Sequence, residues 1–163
     1  MFYKMIENKC NEWYSSERCT VRNLIEYIEK TGQMRDAQIE AIKVYLFLKI
    51  GCECKPLEFL FRYGCFNSIN LNDIELSTAT REYLEENPAA TALFEYSRLT
   101  NDKGDQVSEK LEKQIKKDPS SIDYDAFFRT AFYGVSYTDY LFSLPMGAGK
   151  TYLMLSLIHI SEP

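Results

Sequence analysis

The chain is short of several things that mark common protein classes. It has a single histidine, His159, in 163 residues. That residue lies in the last nine positions, where neither a catalytic nor a metal-binding role is expected of it. No apolar run approaches the roughly 20 residues needed to span a bilayer, so a membrane-spanning protein is excluded and no membrane partner is expected. Basic residues are not in excess: 19 Lys and Arg stand against 24 Asp and Glu, giving a net charge of −5 and a pI near 5.0. That balance excludes a surface coated with phosphate-binding lysines, although it leaves room for a nucleic-acid machine whose basic groove lies elsewhere. No internal repeat and no low-complexity segment is present. The five cysteines, Cys10, Cys19, Cys52, Cys54 and Cys65, are odd in number. With a Met-Phe-Tyr-Lys start that is no signal peptide, they fit a reducing, cytoplasmic setting. Cys52-Glu53-Cys54 is a C-x-C pair with one further cysteine, whereas zinc sites more often combine two C-x2-C pairs. Free structural thiols are the expectation.

What is abundant is aromatic and aliphatic bulk. Twelve Tyr and ten Phe, within 45% hydrophobic residues, supply enough apolar surface for a packed core. Periodicity of about 3.6 predicts a series of helices. The first covers "TVRNLIEYIEKTG", with Val21, Leu24, Ile25 and Ile28 on one face, Thr20 as a candidate cap, a Glu26–Lys30 pair and Gly32 as the stop. The second runs from about Asp36 to Ile50 and carries the broad stripe Ile39, Ile42, Val44, Leu46, Phe47 and Leu48. "KPLEFLFRYG" predicts a short helix begun by Pro56 and ended by Gly64. "FNSINLNDIELS" has no helical period. Two further helices flank Pro88, and "NDKG" is a turn. "DQVSEKLEKQIKKDP" is a charged helix with Val107, Leu111 and Ile115 as its apolar stripe and a solvated lysine–glutamate face. "SIDYDAFFRTAFYG" is the last helix before the texture changes. "YTDYLFSLP", aromatic, aliphatic and bounded by Gly134 and Pro145, predicts a buried strand. One strand cannot satisfy its own backbone. The fold class is therefore mainly α, a helical region over 1–136 leading into the start of an α/β domain over 137–154.

Strand, then "LPMGAGKT", then apolar "YLM" is the context of a phosphate-binding loop. Gly147 and Gly149 free the backbone to turn successive N–H groups inward. The loop feeds a helix N-terminus, whose unpaired N–H groups and dipole favour an anion. Lys150 adds a positive charge for the β- and γ-phosphates, and the Thr151 hydroxyl suits the shell of Mg²⁺. The strict G-x4-G-K-[ST] pattern would need Gly at position 144, where this chain has Leu144.

Pro145-Met146-Gly147-Ala148-Gly149-Lys150-Thr151 resembles motif I of the DEAD/DEAH-box superfamily 2 helicases and translocases, with Met146 in place of the common Thr. "QMRDAQIEAI" is similar to the Arg-x-x-Gln-x-x-Ala block that precedes motif I in that superfamily, including the motor subunits of type III restriction enzymes. The resemblance implies a RecA-like ATPase domain and ATP and Mg²⁺ as cofactors. It also implies Gln38 as the adenine-contacting residue, supported by Arg35. It implies a motor on nucleic acid, duplex DNA foremost, with a modification or nuclease subunit as a further partner. The spacing departs from the superfamily, since about 110 residues separate Gln38 from Gly147, so a helical insertion is required. No catalytic residue is assigned. The Walker B acids and arginine fingers of such motors have no counterpart after Thr151, and Asp123 and Asp125 do not sit at a strand end.

The final nine residues, "LSLIHISEP", resemble something other than a protein. They match, codon for codon, the translation of a transposase adapter used in preparing DNA for sequencing. Leu155–Pro163 is accordingly expected to be a non-native tail, and the chain an N-terminal fragment that is inactive by itself. Two alternatives stand beside the motor reading. One is another P-loop NTPase or nucleotide kinase. The other is a helical interaction module whose glycine loop is incidental.

Overall fold

A computed structural model describes residues 2–101, 103–134 and 149–161. Among them the chain is mainly helical, and no β-strand occurs beyond one isolated bridge between Thr100 and Gln106. The strand expected over 137–145 lies outside the described residues, as do Pro145, Met146, Gly147 and Ala148. The chain divides into two compact units, Met1–Lys9 with Lys55–Thr138, and Cys10–Cys54 with Asp139–Pro163.

Helix α1, Phe2–Ser15, escapes a reading based on caps because it has no Gly, Pro or side-chain cap to announce it. Its stripe is nevertheless helical. Phe2, Met5, Ile6, Cys10 and Trp13 recur at intervals of three and four, and all but Phe2 are buried. The mixture of a phenyl ring, a thioether, a thiol and an indole disguises it.

In the first unit, α6 (Pro88–Arg98) is the central element. Pro88 occupies its first turn, where the missing N–H costs nothing, and the Ala-Ala-Thr-Ala run lets neighbours approach closely. It packs against α4 (Leu57–Arg62), α5 (Thr78–Glu86), α7 (Glu109–Lys117) and α8 (Tyr124–Ala131). Phe61, Phe66, Phe94 and Phe128 are fully buried there, with Phe61 and Phe66 ring centres 4.7 Å apart and Phe2 stacked on Tyr96 at 4.1 Å. Ser77, Ser108 and Asp123 cap α5, α7 and α8 by accepting N–H bonds from the residue three positions on. Glu95 is only 7% exposed. Its carboxylate accepts from the Ser68 N–H, the Ser68 hydroxyl and the Ile69 N–H at 2.9, 2.6 and 3.1 Å. The aperiodic "FNSINLNDIELS" is thereby tied to the core by a charge satisfied three times over.

In the second unit, α2 (Arg22–Thr31) and α3 (Asp36–Leu46) pack together, and α9 (Lys150–Ser161) packs on α3. The stretch expected to carry α3 on to Ile50 is instead a π-helical turn, Phe47–Gly51. The turn brings Gly51 against two rings: a Cβ there would lie 2.9 Å from the Phe47 ring and 3.0 Å from the Trp13 indole nitrogen. Lys43 ties the unit's polar edge together, with its ammonium 3.0 Å from Glu29, 3.4 Å from Glu40 and 4.8 Å from the centre of the Tyr14 ring.

Three local expectations are corrected. Thr20 does not cap α2: the helix begins at Arg22 after Val21, and no side chain accepts at its start. Leu24 is 38% exposed while Ile25 is fully buried, so the buried face of α2 is narrower than the sequence stripe. Val107 stands before α7 rather than on it, its N–H held by the Leu99 carbonyl at 2.8 Å. By contrast, Gly32 ends α2 in the left-handed region at φ 64°, and Glu26 pairs with Lys30 at 3.5 Å. Helix α9 continues through 155–161, because "LSLIHIS" has neither Gly nor Pro to stop a helix already nucleated at Lys150. Among the described residues no helix is long and apolar enough to cross a membrane.

Candidate functional site

Three of the seven loop residues, Gly149, Lys150 and Thr151, are described, and all three are exposed. Gly149 has φ +72°, a conformation that side chains rarely adopt. Lys150 then opens α9, and the first turn closes with the Leu153 N–H donating to the Gly149 carbonyl at 3.1 Å. Leu153 on the following turn is buried in the second unit, which fixes the helix axis. A helix start leaves its first N–H groups without partners inside the helix. Together with the dipole they favour an anion.

Gln38, found in sequence by a separate block, meets this turn. It is 3% exposed, and its Nε2 donates to the Gly149 carbonyl at 2.9 Å across 111 positions of sequence. Its Oε1 accepts the Arg35 N–H at 2.8 Å. A side-chain amide has two N–H donors and two lone pairs, and these bonds take one of each. The second bond caps α3 from within, as a residue at the third helical position does in a capping box. The reciprocal half comes from the backbone. A guanidinium has no acceptor, and it is the Arg35 carbonyl that receives the Gln38 N–H at 2.8 Å and the Ile39 N–H at 3.1 Å. Arg35 thus stands at the helix start beside Gln38, through main-chain geometry.

The fit at Gly149 is tight. A Cβ there would lie 2.8 Å from Gln38 Nε2, so glycine is required both by the left-handed backbone and by the amide facing it. Gly51, Glu95 and the Arg62–Asp125 fork, at 2.7 Å in both arms, carried no comparable sequence signal. The two aspartates considered upstream have structural partners: Asp123 caps α8 and Asp125 holds Arg62. Among the described residues no group of three or more His, Cys, Asp or Glu side chains is placed to hold a metal ion. Cys10, Cys19 and Cys52 are buried and form no disulfide, and burial pushes the Cys10 thiol up to about 12. A thiol so raised is a poor nucleophile.

No protein-family model, curated protein or solved structure matches the chain.

Proposed function

We propose that 137–154 opens a RecA-like P-loop ATPase domain of the superfamily 2 kind, and that Gly147–Thr151 binds ATP with Mg²⁺. In this reading Lys150 contacts the β- and γ-phosphates, Thr151 joins the Mg²⁺ shell, and Pro145, Met146 and Ala148 complete the loop. The resemblance would give Gln38 the adenine through the one N–H and one lone pair that its bonds to Gly149 and Arg35 leave over, with Arg35 supporting it. A longer protein so equipped couples ATP hydrolysis to movement on nucleic acid, duplex DNA foremost, with a modification or nuclease subunit as partner. Leu155–Pro163 is an adapter-derived tail in the same reading.

One observation carries the proposal. The resemblance rests on two blocks about 110 residues apart in sequence, and the buried Gln38 amide donates to Gly149 inside the second block. The contact supports the reading because it brings the two blocks that carry the resemblance to one place.

The test is a titration of a fluorescent ATP analogue with Mg²⁺ into the parent chain and into Lys150→Ala. Removing the ammonium from a phosphate contact costs about 1.5–3 kcal/mol, so affinity is expected to fall at least tenfold. Equal affinity in the two proteins refutes the nucleotide site and leaves the helical interaction module. Loss of binding with no nucleic-acid stimulation in the longer protein favours a different P-loop enzyme.

A further inference from the structure

We draw no further inference here: the strongest candidate, the cavity of about 370 Å³ in the first unit where Arg62 meets the starts of α6 and α8 beside Asn87 and Tyr124, rests on helix N-termini and on a guanidinium already paired with Asp125 and Glu58, and nothing in the structure shows what it would take.

Discussion

Gln38→Glu separates the two tasks that one amide performs. The introduced carboxyl keeps an oxygen to accept the Arg35 N–H, so the start of α3 stays capped. At the other end, an N–H donor 2.9 Å from the Gly149 carbonyl becomes a second acceptor. Gly149 retains its bond from Leu153, so the loss is one hydrogen bond, about 1 kcal/mol, plus the desolvation of a charge left facing a carbonyl. The total is roughly 2–3 kcal/mol, or about 5–10 °C in melting temperature for a chain of this size. The pH dependence fixes the cause. A buried carboxyl facing a carbonyl has its pKa raised in the folded state above the unfolded value of about 4.3. The folded variant therefore holds its proton more tightly than the unfolded chain. The penalty is complete above the raised pKa and closes as pH falls through it, when the protonated group can donate to Gly149. Thermal unfolding by circular dichroism at pH 8 and pH 5 measures both quantities, with Gln38→Ala as the variant lacking cap and donor alike. A Gln38→Glu protein as stable as the parent at pH 8, or equally impaired at pH 5, would refute the reasoning.

Three further outcomes are expected beside the Lys150→Ala titration. Glu95→Ala removes three bonds to Ser68 and Ile69 and should lower urea stability by about 3 kcal/mol, with faster proteolysis between Phe66 and Asn70; unchanged cleavage there would show that the carboxylate does not tether the loop. Burial draws the Glu112 carboxyl upward, but Lys116, Gln106 and Arg98 outweigh it and hold it below its ordinary 4.5. Its contribution is then present above that value and lost as pH falls through the depressed one, so Glu112→Gln should cost about 1 kcal/mol at pH 7 and progressively less as pH falls through the depressed value. Maleimide should label the exposed Cys54 and Cys65 in the native protein, with Cys65 slowed because burial raises its thiol. Cys10, Cys19 and Cys52 should react only on unfolding; native labelling of Cys10 would contradict its burial.

The helices were legible wherever a local rule governs them. Gly32, Pro88 and the stripe from Ile39 to Leu46 act through their own backbone conformation or through neighbours three and four residues away. Such effects are written in the order of residues. Where the signal was chemically mixed, as in α1, the period survived but the uniform apolar type that makes it conspicuous did not. The helix that opens at Lys150 was legible for a similar reason, since a glycine followed by an apolar run announces a helix start.

Tertiary structure alone decided the rest. Nothing in "FNSIN" announces Glu95, 26 and 27 positions away, because a buried carboxylate finds its donors only after α6 has packed. The π turn at Phe47–Gly51 sets Gly51 against the Trp13 and Phe47 rings, a contact that no local propensity encodes. Gln38 could be picked out by a block of sequence, yet its bond to Gly149 exists because α3 and α9 pack together. The sequence named the amide and the loop separately; the packing of two helices is what put a donor against the loop's carbonyl.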